Sequence, residues 1–345
     1  MIPSNMRTAL LVALFALGLA MPAGAADVSD VFTGKQVKIV VGFGAGGGYD
    51  VYARVLAQFL PKHIPGNPSV IVQNMAGAGS LTALNFLYTK AERDGTVMGV
   101  PSNSMAFAPL QGMESANFDP TKFNWIGSPN QETGILISWH TAPVKTVQEL
   151  MTKEITVGVS AGTSSFFGRV LNATLGLKQK LILGYPDSTA SFLAMERGEV
   201  DGYPSIFWSS LKSTKPEWLR DKSVNLLVQY GPAPNREIAA VPFARDLAKT
   251  EEDKQLLDVS VAALAFGRPF VLPPEVPAER VATIRQAFLD TYKDSAFVAE
   301  AAKLQLEVDP VTGDQMQDLL KRTYASPKPV IDRLRQIYKE SSEAK

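Results

Sequence analysis

Apolar and polar residues alternate along the chain with two periods, one typical of strands and one typical of helices. Their order predicts strands followed by helices. Residues 36–41 are rich in valine and isoleucine and predict a buried strand, and an amphipathic stretch that predicts a helix begins at Asp50. A second strand is predicted at 69–73, a helix at about 81–89 and a third strand at 96–100. This repetition is typical of a parallel sheet with crossover helices.

A second series of the same kind follows an extended stretch at 123–139. Thr146 and Glu149 have the spacing of a capping box at a helix start. The predicted strands of this series are 155–159, 181–183, 201–204 and 224–229, and its helices are 166–175 and the stretch from Asp187-Ser188 through Arg197. The chain therefore repeats one α/β plan, which predicts two lobes.

The last third of the sequence is predicted to return to the first lobe. An extended return crossing is expected from about Val259, and Thr312 and Gln315 form another capping-box pattern. Helices are predicted near 278–293, 295–304, 312–325 and 327–342. The predicted boundaries are 26–127 plus 263–345 for the first lobe and 128–262 for the second, with crossings near 125–135 and 259–270.

The first 25 residues have the pattern of an export signal. Arg7 precedes a short apolar run at 9–20, which is followed by Pro22 and by the small residues 23–25. The apolar run is too short to span a bilayer, so a cleaved signal peptide is favoured over an uncleaved anchor. Cleavage is predicted before Ala26, and residues 26–345 are long enough for two lobes of ordinary size.

Charge and composition narrow the possible partners. The formal net charge is zero, and loss of Arg7 leaves 33 basic against 34 acidic residues. This balance argues against nucleic acid or an anionic membrane as a partner. The chain has no cysteine, so neither disulfides nor lipid attachment at the cleavage site is expected. A freely soluble, monomeric periplasmic protein is predicted.

The segment 42–48 is a strand-to-helix loop with five glycines in seven positions. Such a loop exposes backbone N–H groups at the positive end of a helix dipole, which suits it to hold an anion. Residues 42–47 also match the dinucleotide pattern G-x-G-x-x-G. The acidic residue that this pattern needs after the second strand is replaced by Gln73-Asn74, and no phosphate-binding P-loop motif is present.

Catalysis has little support in the sequence. The serine-rich segment 162–165 lacks the G-x-S-x-G pattern of a nucleophile elbow. The two histidines, His63 and His140, lie on a turn and on the crossing segment, and with no cysteine they form no metal-binding pattern. Anion recognition without catalysis, cofactor or metal is therefore predicted.

Strand-to-helix loops of both lobes are expected to face one cleft, because ligands bind at the carboxyl ends of parallel strands. Tyr49 and Tyr185 are candidate aromatic walls, and Asp50 is expected to cap its helix. The predicted ligand-binding residues are Phe43, Ala45, Gly46, Gly47, Gly48, Tyr49, Asp50, Ala78, Gly79, Ser80, Ser160, Gly162, Thr163, Ser164, Ser165, Tyr185, Asp187 and Tyr203.

Several motifs resemble one known family. Residues 40–54 resemble the run V-V-P-F-A-P-G-G-G-x-D-x-x-A-R of the receptors of tripartite tricarboxylate transporters, the Bug-type periplasmic substrate-binding proteins. Asn74 with residues 77–79 is similar to the family's N-x-x-G-A-G, and Asp94-Gly95 is similar to its D-G turn. Segments 143–150 and 198–201 resemble later family motifs, so the resemblance covers nearly all of residues 26–345.

The resemblance implies a two-lobed periplasmic binding fold (type II-like), with mostly parallel sheets flanked by helices and a ligand cleft between the lobes. It also implies capture of an organic carboxylate and delivery to a permease with one large and one small membrane subunit. In the family, loops that match 43–48 and 160–165 hold the proximal carboxylate. The alternatives are a carboxylate sensor for a membrane signalling partner and a secreted α/β hydrolase.

The sequence departs from the family at two places. Gly42 and Ala45 replace the usual prolines, which is expected to loosen the first loop. The family's Tyr-Lys-Gly-Gly turn is Tyr185-Pro186-Asp187-Ser188 here, so a cation is lost and a carboxylate gained. This change favours a ligand with a distal donor or apolar group, unless Asp187 only caps its helix.

Overall fold

The structure is a computed structural model that describes residues 31–113, 115–159, 163–185 and 188–342. The predicted signal peptide at 1–25 and its cleavage site before Ala26 lie outside this range. The described residues contain two β-sheets with helices on their faces. We call the elements around the first sheet the first lobe and those around the second sheet the second lobe.

The first sheet has the strand order β11-β4-β10-β3-β1-β2. Its strands are β1 (Gln36–Val41), β2 (Ser69–Asn74), β3 (Val97–Val100), β4 (Asn124–Ser128), β10 (Phe270–Leu272) and β11 (Val311–Thr312). β1 pairs in parallel with β2 and β3, whereas β4, β10 and β11 pair antiparallel.

The second sheet has the strand order β7-β6-β8-β5-β9. Its strands are β5 (Gly134–Trp139), β6 (Ile155–Gly158), β7 (Gln179–Ile182), β8 (Gly202–Phe207) and β9 (Val224–Tyr230). β6 pairs in parallel with β7 and β8, and β5 pairs antiparallel with β8 and β9. The two-lobed α/β prediction is confirmed, but the sheets are mixed rather than mostly parallel, because β10 and β11 run against the other strands of the first sheet and β5 runs against the other strands of the second.

Thirteen α-helices lie in the described residues. They are α1 (Gly48–Phe59), α2 (Leu81–Thr89), α3 (Val147–Leu150), α4 (Thr163–Leu175), α5 (Ser188–Glu196), α6 (Trp208–Thr214), α7 (Pro216–Arg220), α8 (Ala244–Leu247), α9 (Glu251–Ala265), α10 (Ala278–Lys293), α11 (Ser295–Lys303), α12 (Gly313–Tyr324) and α13 (Lys328–Ser342). Both predicted capping boxes form: Thr146 with Glu149 starts α3, and Thr312 with Gln315 starts α12.

The return crossing predicted to be extended from Val259 is wrong up to Ala265, because this part is the second half of α9, whereas its end at Phe270–Leu272 is the strand β10. The Thr250 side chain caps that helix by accepting a hydrogen bond from the Asp253 N–H, and three acidic residues follow in the first turn. Eight residues of α9 between Leu256 and Ala265 are buried. A helix that is apolar on most of its surface lacks the amphipathic period of an exposed helix, which is why the stretch resembled a buried strand.

The core extends from one lobe into the other. The largest cluster of buried side chains includes Val40 of β1, Leu136 of β5 and Phe266 after α9. The C-terminal helix α13 packs against α4 and α9, and Tyr338 contacts Phe166 of α4 edge to face. The predicted lobe boundaries stay predictions, and these contacts show that the chain's last helix rests on an element of the second lobe.

Candidate functional site

The three parallel strands of the first lobe end side by side, which brings their loops together. The loop after β1 leads directly into α1, whose first residue is Gly48. The first-turn N–H groups of an α-helix have no intrahelical partner, and the positive end of the helix dipole lies there. Gly44, Ala45, Gly46, Gly47 and Gly48 are all exposed, so this end of the helix can be reached from solvent.

Asp50 is buried beneath the glycine loop and holds its shape. Its Oδ2 accepts hydrogen bonds from the Gly46 N–H at 2.8 Å and from Arg54 Nε at 2.8 Å. Its Oδ1 accepts one from Asn74 Nδ2 at 2.8 Å, and this amide also donates to the Phe43 carbonyl at 2.9 Å. Gly46 has a φ of +84°, a conformation that favours glycine. Asp50 therefore lies in the first turn of α1 rather than at its N-cap, which is Gly47.

The carboxyl group of Asp50 is strongly stabilised in its charged form. The hydrogen bond from Arg54, helped by those from Gly46 and Asn74, lowers the pKa of Asp50 to about 2 despite its burial. Only 2% of the Asp50 side chain is exposed, and 47% of Arg54 is exposed. Because Arg54 compensates this charge locally, the first-turn amides can still attract an external anion.

The loop after β2 packs tightly on the glycine loop. A Cβ at Gly42 would lie 2.3 Å from the Ser80 Cβ, and the Gly42 N–H donates to the Val100 carbonyl at 3.0 Å. Proline at position 42 would place a Cβ against the Ser80 side chain and has no N–H to donate to the Val100 carbonyl. The loosening expected from Gly42 is therefore wrong at this position, since its glycine permits a close approach of two loops.

Ser80 joins the second loop to the third. Its buried Oγ accepts a hydrogen bond from the Ser102 N–H at 2.8 Å. Ala78 and Ser80 have φ values of +46° and +80°, and non-glycine residues rarely adopt this left-handed conformation. Ala78 and its neighbour Gly79 are exposed. The loop therefore stores backbone strain next to the glycine loop.

Tyr49 is fixed between the first and third loops. Its ring stacks on Phe43 with the centroids 4.4 Å apart, and its hydroxyl accepts a hydrogen bond from the Asn103 N–H at 3.2 Å. Burial raises the pKa of Tyr49, against the opposing effects of the Asn103 hydrogen bond and the charge of Arg268. Phe43 and Tyr49 are half-buried, so they form one aromatic wall beside the exposed glycines.

The second lobe places its predicted residues less closely together. Thr163, Ser164 and Ser165 begin α4, which therefore starts three residues before the predicted Phe166. Tyr185 packs at the end of β6, where its Cε2 lies 3.0 Å from the Cβ position of Gly158. Tyr203 is buried in the sheet and contacts Phe192 edge to face. The predicted Ser160, Gly162 and Asp187 lie outside the described residues.

A cavity of about 590 Å³ lies between the lobes, beside the glycine loop. Its walls include Gly48 and Tyr52 of α1 and also Ser209 and Lys212 of α6. A larger groove of about 690 Å³ lies between α9 and α12, but none of the predicted site residues lines it. Because the smaller cavity touches the glycine loop and both lobes, it is the better candidate for ligand.

The cavity is also lined by Arg268, which no sequence pattern indicated. Arg268 NH1 lies 2.5 Å from Glu132 Oε1, and the guanidinium carbon lies 4.9 Å from the centre of the Tyr52 ring. Burial opposes the charge of Arg268, but the Glu132 carboxylate outweighs this effect and the pKa of Arg268 is raised. The two residues are 136 positions apart, so no local pattern could have indicated their pairing.

Neither histidine lies near the loops, and no metal-binding group forms in the described residues. His63 Nε2 lies 3.0 Å from Asp294 Oδ2 at the start of α11, and the His140 ring packs against Trp139. Within the described ranges, no cluster of three or more histidine, cysteine, aspartate or glutamate side chains could hold a metal ion. None of the helices in those ranges has both the length and the apolar character needed to cross a membrane.

Two curated relatives match parts of the sequence, and no family model matches it. A UPF0065 protein of Cupriavidus necator is 35% identical over 145 residues, which are 41% of this chain and 42% of that protein. The protein BugT of Bordetella pertussis is 38% identical over 101 residues, 29% of each chain. The matched regions thus span less than half the length of these curated relatives.

Solved structures resemble the chain over most of its length. A TctC solute-binding protein from Polaromonas has a TM-score of 0.69 at 16% identity, with 87% of this chain and 98% of that chain covered. MatC from Rhodopseudomonas palustris, solved with bound malate, has a TM-score of 0.57 at 17% identity, with coverage of 88% and 99%. The periplasmic binding protein BugD has a TM-score of 0.55 at 17% identity, with coverage of 89% and 97%.

At these identities the solved structures define the fold, which is that of the two-lobed periplasmic binding proteins. The sequence matches add a closer relation, because they involve proteins named UPF0065 and BugT. The chain is thus similar in sequence to UPF0065 and Bug proteins over part of its length, and it shares the fold of TctC and Bug solute-binding proteins.

Proposed function

We propose that this chain is a periplasmic receptor that binds an organic carboxylate between its lobes and delivers it to a membrane transporter of the tripartite tricarboxylate type. The main support is the glycine loop, whose exposed residues 44–48 lead into α1 and whose Gly46 amide is held by the buried Asp50. Backbone amides at a helix N-terminus solvate a carboxylate without adding bulk.

Other contacts support the same role. Arg268 lies next to Gly48, with its Nε 3.4 Å from the position of a Cβ there, and so adds positive charge beside the amides. In the second lobe, the Ser165 hydroxyl is buried and has no hydrogen-bond partner in the described part of the chain. A buried hydroxyl without a partner is costly, and this cost is removed if ligand or water meets it.

Carboxylate binding is supported by solved neighbours of the same fold. MatC was solved with malate and a second R. palustris protein with adipate. Binding without turnover is the expected activity, because the described residues near the loops offer anchoring groups but no histidine or cysteine. Delivery to large and small membrane subunits is the corresponding partner proposal.

A thermal-shift screen of residues 26–345 against acetate, malate, adipate and citrate tests the proposal. At least one carboxylate is expected to raise the melting temperature, with calorimetry giving the affinity. No shift with any carboxylate, together with turnover of ester substrates, would overturn the receptor function.

Gly47→Val is the matching variant for the loop. A side chain fits there, because its Cβ would lie 3.9 Å from the Gly44 carbonyl oxygen and φ is −77°. The valine methyl groups should cover the amides and weaken carboxylate binding at least about tenfold, without a large loss of stability. Gln58→Val, at the exposed end of the same helix, is the control and should bind as the unchanged protein does. Equal affinity of the Gly47 variant would show that the loop does not bind ligand.

Location and partner need separate measurements. Export predicts that the protein in the periplasmic fraction begins at Ala26, which intact-mass measurement can show. Delivery predicts that uptake of the bound carboxylate by cells requires both this chain and paired membrane subunits. Binding in solution with uptake unaffected by deletion of this chain would favour a sensor instead.

A further inference from the structure

The two segments that connect the lobes are tied to each other by side-chain contacts. One segment joins β4 to β5, and the other joins α9 to β10. The Arg268 N–H donates to Ser128 Oγ at 2.9 Å, and Ser128 Oγ donates to the Asn130 carbonyl at 2.7 Å. Gly267 approaches so closely that a Cβ there would lie 2.0 Å from the Asn130 carbonyl oxygen. The two crossings are therefore linked by a hydrogen bond and a close backbone approach.

An ion pair lies at the centre of this unit. Glu132 Oε1 accepts hydrogen bonds from Arg268 NH1 at 2.5 Å and from Asn130 Nδ2 at 3.1 Å. The exposed fractions of the side chains are 2% for Glu132 and 21% for Arg268. A pair as buried as this is often no more stabilising than apolar residues of the same size, so stability alone gives no reason for its presence.

Arg268 also contacts the glycine-loop helix in the first lobe. Its guanidinium lies over the rings of Tyr52 and Tyr49, at 4.9 and 5.8 Å from their centres. Its Nε and NH2 lie 3.4 and 3.6 Å from the Cβ position of Gly48, the first residue of α1. The guanidinium is thus seated against the end of the helix whose amides form the proposed carboxylate site.

Glu132 makes the corresponding contact with the second lobe. Its other carboxylate oxygen, Oε2, accepts a hydrogen bond from Ser209 Oγ at 2.8 Å. Ser209 lies in the first turn of α6, directly after β8. The ion pair therefore connects α1 of one lobe with α6 of the other through three contacts: the Tyr52 ring with the guanidinium, the guanidinium with the Glu132 carboxylate, and the carboxylate with the Ser209 hydroxyl.

We propose that Glu132 and Arg268 are positioning residues that set the angle between the lobes and couple ligand at the glycine loop to lobe closure. This inference rests on the proposed receptor function. A ligand carboxylate at the α1 amides would attract Arg268, and because Glu132 is bonded to Arg268 and to Ser209, the shift would be passed to α6. Closure of the lobes about a hinge then depends on the Glu132–Arg268 pair, which contacts α1 in the first lobe and α6 in the second.

Distance measurements between spin labels test this coupling. The chain has no cysteine, so Gln58→Cys in α1 and Lys153→Cys after α3 give two unique labelling sites, both exposed. The test variant is Glu132→Gln with Arg268→Met, which leaves no buried charge unpaired. Asp294→Asn, which removes an ion pair with Lys62 within the first lobe, controls for a general loss of stability.

In the unchanged protein, a narrow distance distribution is expected without ligand and a shorter distance with saturating malate or adipate, whichever binds. In the double variant, the unliganded distribution should be broader, the ligand-dependent shortening smaller, and the affinity about tenfold weaker. The Asp294 control should behave as the unchanged protein does in all three measurements.

A folded double variant with the same unliganded distribution and the same shortening as the unchanged protein would overturn the coupling. If the unchanged protein binds none of the carboxylates, the proposed function fails, and the unliganded distributions still test the pair. The single variant Glu132→Gln keeps a side chain that can accept a hydrogen bond from Ser209. A broadened distance distribution in this variant would therefore assign the broadening to loss of the negative charge of Glu132.

Discussion

Asp50 uses both of its carboxylate oxygens to shape a loop that contains almost no side chains. It accepts from Gly46, Arg54 and Asn74, each at 2.8 Å. The Gly46 amide is thereby occupied, so the amides left for an external anion are those nearer the start of α1. An aspartate in a glycine-rich loop is therefore a structural anion here, and its charge is compensated by Arg54 before any ligand arrives.

Asp50→Asn should destabilise the protein in a pH-dependent way. The folded pKa of about 2 lies below the ordinary 3.8, so the charged form contributes about 2 kcal/mol of stability. This contribution is fully present above pH 3.8 and is lost as the pH falls towards 2. Asparagine would also point its own NH2 donor at one of the three groups that donate hydrogen bonds to Asp50. Urea unfolding from pH 7 down to pH 2.5 should show a difference from the unchanged protein that narrows at acid pH.

The exposed pair of Arg285 with Asp314 offers a control for this prediction. The Asp314 side chain is 82% exposed, so Asp314→Asn should change the free energy of unfolding little at any pH. A deficit of the Asp50 variant that is equal at pH 7 and pH 2.5 would contradict the role assigned to its charge.

Among the elements, the loops after β1 and β2 depend on each other for their conformation. Gly42 leaves space that the Ser80 side chain fills, and Ser80 keeps a left-handed backbone while its hydroxyl accepts from the Ser102 amide. The close approach is a property of the pair of loops. It also explains why glycine stands where the resembling family has proline.

A double-mutant cycle should detect this dependence. Gly42→Ala places a methyl group 2.3 Å from the Ser80 Cβ and should cost about 1–3 kcal/mol of unfolding free energy through overpacking. Ser80→Gly removes the opposing Cβ and suits the positive φ, but it loses the hydrogen bond to Ser102. The double variant should be more stable than the sum of the single changes predicts, as measured by thermal and urea unfolding. Additive effects would mean that the loops adjust independently.

The sequence predicted elements where one local pattern decides the conformation. The β1 strand from Gln36 and the capping boxes at Thr146 and Thr312 formed as expected, because neighbouring residues alone specify them. The second half of α9 was missed because its burial between other helices hides the helical period, although Thr250 and the acidic residues after it mark its start.

For the site, the glycine loop was predicted from its own composition, whereas its supports were not. Asp50 was expected at the helix start, but its bond to Asn74 depends on how β1 and β2 pair. The Glu132–Arg268 pair depends on both crossings. Contacts between distant segments require the tertiary fold, and single-residue patterns do not carry this information.

For the whole molecule, charge at the boundary between the lobes should influence stability. Glu307, between α11 and β11, faces Lys212 and Glu237 of the second lobe, with the Lys212 Nζ 3.8 Å from its Oε1. The charges of Glu132 and Arg268 and the Tyr52 side chain also interact with Glu307 electrostatically. Burial, followed by repulsion from Glu132, raises the pKa of Glu307, and the attraction of Lys212 only partly offsets this.

Glu307→Gln should therefore stabilise the protein at neutral pH. A carboxyl group whose folded pKa is raised contributes stability that is present below its unfolded pKa, near 4.5, and lost as the pH rises through the folded value. Glutamine stays neutral, so the variant should be more stable than the unchanged protein at pH 7 and equal to it near pH 4.

Glu237 gives the opposite case, because hydrogen bonds from Lys212 and Trp208 lower its pKa. Glu237→Gln should destabilise at pH 7 and lose this effect as the pH falls below 4.5 through the folded pKa, and urea unfolding from pH 8 down to about pH 3 distinguishes the two signs. Equal changes in the free energy of unfolding of the two variants at pH 7 would show that only the net charge at this boundary affects stability.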